Sequence, residues 1–160
     1  SRDALMTLSP PSWKFTSANQ ATLKMFNVKS EKEFTKLGPW DTSPEFQLNG
    51  QTSNKEAPRM IAKAMKEGSA FFEWTHKRWK GKSFPATVLL TRIELDGKKQ
   101  LQATVRDNTF QKKTEQEILK AKDDLVKKVK ELERFTKLAV GRELKMVDLK
   151  KKIAKLEEKK

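Results

Sequence analysis

An apolar repeat of seven residues runs through the last third of the sequence and restricts what this part can fold into. Every seventh residue from 118 to 153 is apolar, and so are four of the six positions that follow three residues later. A repeat of this length is typical of a coiled coil, not of a helix lying on a core. We predict a parallel dimer seam, called the seam below, formed by Ile118, Leu125, Leu132, Phe135, Ala139, Met146, Leu149, Ile153 and Leu156.

The seam is interrupted in its middle. Lys128 and Arg142 occupy seam positions, and Gly141 costs about 1 kcal/mol relative to Ala inside a helix. Two interpretations stay open: tolerated imperfection, or a metastable stretch that shifts register or splays. Further apolar residues either contact a neighbouring helix or domain or widen a two-helix contact: Leu138, Val140, Leu144 and Val147.

The composition changes near residue 108. All six Pro and all four Trp lie before residue 109, and the rest of the chain has a single Gly. We therefore predict two regions, a mixed domain over 1–108 and a helix over 109–160. Between them, residues 101–118 pass from a strand pattern to a helix pattern without Gly or Pro, the usual breakers.

The first region combines strand and helix signals. Strands are predicted over Ala4–Leu8, Trp13–Thr16, Phe71–Trp79, Phe84–Leu95 and Lys99–Asp107. Between the second and third strands, Asn19 and Ser30 are expected to cap two short helices, and a third helix spans Lys55–Lys66. Asp96-Gly97 indicates a hairpin. This order predicts an α+β fold in which helices cover one face of an antiparallel sheet.

The element order resembles the PAS sensor fold over about residues 3 to 118. The supporting stretches are 16–21 (TSANQA), 40–47 (WDTSPEFQ), Phe72-Glu73-Trp74 with His76 and Arg78, Phe84-Pro85, and 105–109 (VRDNT). PAS domains commonly close with Asp-Ile-Thr, where this chain has Asn108 in the middle. Residues 138–146 (LAVGRELKM) are similar to a segment that follows PAS modules in bacterial sensor histidine kinases. The resemblance implies a five-stranded PAS domain followed by a signalling helix.

Residues on the inner sheet face and the facing helices are the candidates for a ligand pocket, and ordinary core packing explains them as well. They are Phe15, Met25, Phe26, Trp40, Met60, Phe72, Trp74, Leu90 and Ala103. In the strand from Phe71, aromatic residues occur on both faces, so the pattern alone leaves the inward face open. At the end of the last strand, Asp107 or Thr109 can cap the helix. By resemblance, Asp107 also pairs with Arg78 or Arg106, and we assign Asp107, Thr109 and Arg78 to signal relay.

The residue inventory favours no catalytic or metal site. The chain has no Cys and one His, His76, and shows no phosphate-binding glycine loop or metal-ligand spacing. PAS relatives hold haem through a His on the long helix, where this chain offers only Met60 or Met65, and Cys-linked flavin or chromophore needs the missing thiol. The cofactor therefore stays unassigned, with a small organic ligand or an unliganded core as the alternatives.

The expected function is that of a regulatory fragment without a catalytic domain. We expect a homodimer that relays ligand or conformational signals to a downstream effector, first of all a histidine kinase; the alternative is a non-sensing PAS scaffold for protein–protein interaction. The net charge is +14, but acidic residues are interleaved in both regions, which disfavours a nucleic-acid partner. No signal peptide or apolar run of membrane-spanning length occurs, so a cytoplasmic location is expected.

Overall fold

Alternating apolar residues build one five-stranded sheet in the computed structural model, which describes residues 3–159. The strands are β1 (Ala4–Leu8), β2 (Phe15–Ala18), β3 (Ser69–Lys77), β4 (Ser83–Leu95) and β5 (Lys98–Asp107). Their order in the sheet is β2-β1-β5-β4-β3, and each neighbouring pair is antiparallel. The predicted α+β fold class is confirmed.

Four helices accompany the sheet in the described residues. They are α1 (Gln20–Phe26), α2 (Glu31–Phe34), α3 (Ser53–Glu67) and α4 (Thr109–Glu158). The two predicted caps are present: the side chain of Asn19 accepts from the Thr22 N–H at 2.9 Å, and the Ser30 hydroxyl accepts from the Glu33 N–H at 3.3 Å. Each cap satisfies an N–H that has no partner within its own helix.

Two predicted strands are displaced by two residues. β2 begins at Phe15 because Trp13 lies in a turn, with a φ of 54° and its N–H bonded to the Ser9 carbonyl. β3 ends at Lys77 because the N–H of Trp79 bonds to the carbonyl of Phe26 instead of to β4. Local patterns do not contain these distant partners.

The burial of residues on β3 shows which face of the sheet is the inner one. On β3, Ala70, Trp74 and His76 are buried, whereas the side chain of Phe71 is 73% exposed. The core is completed from the helices by Phe26 and Phe34, which are fully buried. Their rings lie 5.7 Å apart between centroids. Helices therefore cover one face of the sheet, and the face that carries Phe71 is the outer one.

The chain divides into two compact units, one extending to Lys112 and the other beginning at Lys113. Helix α4 has no buried residue. Its described part carries ion pairs one turn apart, between Lys127 and Asp123 and between Lys152 and Asp148, each at 3.5 Å. Such exposed pairs contribute only a few tenths of a kcal/mol, roughly 0.3–0.5 each. Among the described helices, none combines the length and the apolar character needed to cross a membrane.

Candidate ligand cavity and helix junction

A small apolar cavity, called the core cavity below, lies between the inner sheet face and α3. Its volume is about 40 Å³. Six of the nine predicted pocket residues border it: Phe15, Met60, Phe72, Trp74, Leu90 and Ala103. On this scale a cavity needs about 10–15 Å³ to hold one water molecule, so the core cavity has room for only a few non-hydrogen atoms.

The other three predicted pocket residues lie outside the lining of the core cavity. Phe26 is fully buried and packs edge-on against the His76 ring, with centroids 5.1 Å apart. Met25 is partly buried against the core. Trp40 covers Gly38, where an added Cβ would stand 2.7 Å from the indole ring, so the glycine is required by this close approach. Phe26 and Met25 therefore belong to the packing of the core.

His76 borders the core cavity and is only 6% exposed. Its Nδ1 lies 3.0 Å from the carbonyl oxygen of Thr42. Because a carbonyl can only accept, Nδ1 carries the proton and donates it, leaving Nε2 as an acceptor. Burial lowers the pKa of His76 to about 4, although the Thr42 hydrogen bond and the Asp107 charge oppose the shift. The ring is therefore neutral near pH 7.

The segment that holds His76 was not among the predicted site residues. Thr42 is fully buried, and the hydroxyl of Ser43 accepts the indole N–H of Trp74 at 2.9 Å. The sequence placed the lone His in a strand centre but contained no signal that residues 42–43 would meet it. Only the packing of this loop on β3 brings these groups together.

A chain of ring contacts connects the cavity to the start of α4. The centroids of His76 and Phe84 are 5.9 Å apart, and the guanidinium carbon of Arg78 lies 4.4 Å above the Phe84 ring. Arg78 in turn pairs with Asp107, with 2.8 Å between nitrogen and oxygen. These groups are consecutive contacts within the first compact unit.

Asp107 holds the junction with both carboxylate oxygens. One accepts from the Thr109 N–H at 2.9 Å and from the Thr109 hydroxyl, and the other accepts from Arg78. Burial raises the pKa of Asp107, but the hydrogen bonds from Thr109 and Arg78 outweigh it, and the net pKa is lowered. Of the two arginines considered as partners, Arg106 pairs instead with Asp3, at 3.0 Å.

Asn108 stands where the PAS closing pattern has an apolar residue, and hydrogen bonds hold it in place. It is 7% exposed, its amide nitrogen donates to the Thr87 hydroxyl, and its backbone N–H donates to the Pro85 carbonyl at 2.9 Å. Its own carbonyl accepts from the Lys112 N–H at 2.8 Å. The junction is therefore tied to β4 on the outer side and to β3 through Arg78.

A second cleft of about 300 Å³, lined by both polar and apolar residues, lies beside β3. The side-chain amide of Gln47 pairs with the backbone of Thr75, donating to its carbonyl at 3.0 Å and accepting from its N–H at 2.8 Å. The amide group thus substitutes for a neighbouring strand at this position. Ion pairs Arg59–Glu56 and Lys112–Glu73 also line the cleft.

The predicted seam residues lie along α4 with large exposed fractions, from 51% for Leu149 to 71% for Phe135. Ala139 is half-buried. Their role in dimerisation stays a prediction.

Comparison with solved structures finds PAS domains that share the backbone fold of the globular unit. A PAS domain from a two-component sensor histidine kinase matches with 18% identity and a TM-score of 0.54, covering 67% of this chain and 86% of its own. The PAS domain of nitrogen regulation protein NR(II) from Vibrio parahaemolyticus matches with 15% identity and a TM-score of 0.53, over 66% and 89%. An RNA-binding light-oxygen-voltage receptor matches with 15% identity and a TM-score of 0.58, covering 77% of this chain and 34% of its own.

No family model and no curated protein matches the sequence itself. The likeness is therefore carried by the backbone: strand order, short helices between the second and third strand, and a closing strand that leads into a helix. On these grounds the chain has the PAS fold.

Proposed function

We propose that the chain is a sensory signalling module that dimerises through a parallel coiled coil of α4 and passes a change in its PAS core to a downstream effector. The observation that carries this proposal is the exposed seam. A 50-residue helix that places large apolar side chains in water along one face buries them when a second helix packs on that face.

The junction supports the signalling part of the proposal. Asp107 contacts Arg78 of the sheet region and the first residue of α4 with the same carboxylate. A displacement of Arg78 therefore changes the cap of the helix without passing through a flexible loop. In this mechanism the core cavity, Phe84, Arg78 and Asp107 form the route, and α4 responds by changing its packing or stability.

The effector is proposed from the second resemblance. Residues 138–146 are similar to the segment that follows PAS modules in sensor histidine kinases, so a histidine kinase in a two-component system is the first effector to test. The fragment itself would be regulatory and not catalytic, and its location is proposed to be cytoplasmic.

The dimer can be tested with two leucines that differ only in their position on the helix. Leu132 belongs to the seam and Leu144 does not, and both are 65% exposed. We expect Leu132→Lys to weaken the dimer at least about tenfold in sedimentation equilibrium, because a charge is buried between helices. Leu144 stands five residues after the seam residue Ala139, on the side of the helix opposite the seam, so Leu144→Lys should weaken the dimer far less even if Leu144 widens the contact. A wild-type chain that stays monomeric at every concentration, or equal effects of both variants, would contradict the proposal.

A non-sensing scaffold is the second candidate, and the small core cavity favours it. About 40 Å³ is far below the roughly 300 Å³ or more of ordinary ligand pockets. In that case the PAS unit would act as a docking surface on a coiled-coil stem. Thermal-shift and native mass-spectrometry screens separate the two, because a specific ligand raises the melting temperature with its concentration.

A further inference from the structure

One residue of the core cavity wall, His76, carries a buried polar atom that has no partner among the described residues, and the rest of the wall is almost entirely apolar. In the part of the chain that the structure describes, Nε2 of His76 is buried without a hydrogen-bond partner. The indole N–H of Trp74, the other strong polar group on the wall, already donates to Ser43. A buried polar group without a partner costs about 1–3 kcal/mol, so this atom calls for an explanation.

The protonation of the ring decides what can pair with it. Thr42 offers a carbonyl to Nδ1, so the ring proton sits on Nδ1 and Nε2 presents a lone pair. Nε2 of this wall residue is therefore an acceptor and not a donor. A ketone or an anion would bring a second lone pair against it, whereas an O–H group would satisfy it.

The size and walls of the cavity restrict the donor further. A volume of about 40 Å³ fits roughly two to four non-hydrogen atoms. A single water molecule needs two to four polar partners and finds one here. An ammonium group would lose its hydration without a counter-charge on the apolar wall. A short, neutral molecule with one hydroxyl and an apolar remainder satisfies both the lone pair and the walls.

We propose that the core cavity binds a small, largely apolar alcohol whose hydroxyl donates a hydrogen bond to Nε2 of His76. The assignment of a ligand class rests on the proposed sensory function for its biological meaning, but the binding itself does not depend on dimerisation. Through Phe84 and Arg78, His76 itself lies three contacts from Asp107.

The test uses two probes of equal size. Propan-2-ol and acetone each have four non-hydrogen atoms, but only the alcohol donates. The chain has a single His, so the imidazole nitrogen signals of a ¹⁵N-labelled sample belong to one residue. We expect propan-2-ol to shift the Nε2 resonance towards the protonated range with saturation, and to bind at least about fivefold tighter than acetone. Equal or non-saturating shifts, or no shift, would overturn the proposal.

Three variants of the full chain test the location of the site. Ala103→Val adds two methyl groups to the cavity wall and should abolish the saturable shift, whereas Thr104→Val, on the opposite face of the same strand, should retain it. His76→Leu removes the acceptor, so the alcohol should lose its advantage over acetone in thermal shift. Retention of alcohol selectivity in His76→Leu would also overturn the proposal.

The outcomes distinguish the site from the function. If no probe shifts Nε2 while Leu132→Lys still breaks the dimer, the inference about the ligand fails and the coiled-coil module stands. If the shift is seen but the chain is monomeric, the site stands and the proposed signalling module fails.

Discussion

The two regions of the chain place their apolar residues in opposite environments. In the globular unit, Leu101 and Phe34 are fully buried. In α4, Leu132 is 65% and Phe135 71% exposed. Leucine and phenylalanine thus occur in both regions in opposite environments, and they recur at different spacings in the two regions.

The difference shows what each region can achieve alone. Alternation at period two gives a sheet one apolar face, and the short helices of the same unit cover it. A repeat of seven gives a helix one apolar stripe, which no other segment of that helix can cover. The first region therefore completes its own core, whereas the apolar stripe of the second is covered only in the proposed coiled coil.

The largest difference between the two regions is expected when one leucine in each is truncated to alanine. Leu101→Ala should destabilise the globular unit by about 2–5 kcal/mol at any protein concentration, because it leaves a cavity in a closed core. Leu132→Ala should affect only unfolding of the helical region, and its effect should depend on protein concentration. Urea titrations followed by Trp fluorescence report on the first region, which contains all four Trp. Circular dichroism also reports on the unfolding of helix α4. A loss independent of concentration for Leu132→Ala would break the comparison.

The buried imidazole should make the globular unit sensitive to mild acid. The pKa of His76 is about 4 in the folded chain and 6.5 when exposed, so between these values only the unfolded chain takes up the proton. The contribution of the neutral imidazole to the free energy of unfolding is complete above pH 6.5. As the pH falls towards 4, the free energy of unfolding decreases by about 3 kcal/mol. Asp107, whose pKa is lowered from 3.8, loses its contribution only at lower pH.

Chemical denaturation followed by Trp fluorescence between pH 7 and 4 measures this slope. In His76→Leu the slope over that window should largely disappear, even if the variant is less stable throughout. An unchanged slope would mean that another group titrates and that His76 is accessible in the folded chain.

The junction offers a comparison between two acidic residues. Asp107→Ala should cost about 1–3 kcal/mol, because it removes a helix cap and the partner of a half-buried arginine. Asp3→Ala breaks a more exposed pair with Arg106 and should cost at most about 1 kcal/mol. Hydrogen exchange should quicken at residues 109–112 in the first variant only. Similar exchange in both variants would remove Asp107 from its role at the junction.

The smallest effect is expected at Gly141. An added Cβ there meets nothing within 4 Å, so Gly141→Ala should stabilise the helix by about 1 kcal/mol. Gly97→Ala is the matched control: it also has open space, but its φ of +70° disfavours any Cβ, so it should destabilise. Thermal melts by circular dichroism measure both. A destabilising Gly141→Ala would indicate that the helix needs to deform at this point.

Much of the fold could be predicted because it follows local rules. Asn19 and Ser30 cap their helices, Asp96-Gly97 forms the hairpin turn, and a helix begins at Thr109. The ends of β2 and β3 could not be predicted, since they depend on backbone partners elsewhere, such as Phe26 for Trp79. Of the candidate site, the apolar character of the wall residues is visible in the sequence, while the inward face of β3 and the partner of His76 are not.

By itself, the sequence determined the order of elements, the place where sheet passes into helix and the apolar stripe of α4, because these depend on residues close together in the chain. Tertiary structure decided which face of β3 is inside, which arginine meets Asp107 and where the proton of His76 sits. Thr42 and His76 are 34 residues apart, and Arg78 and Asp107 are 29 apart. Contacts of that separation exist only after the sheet has closed over its core.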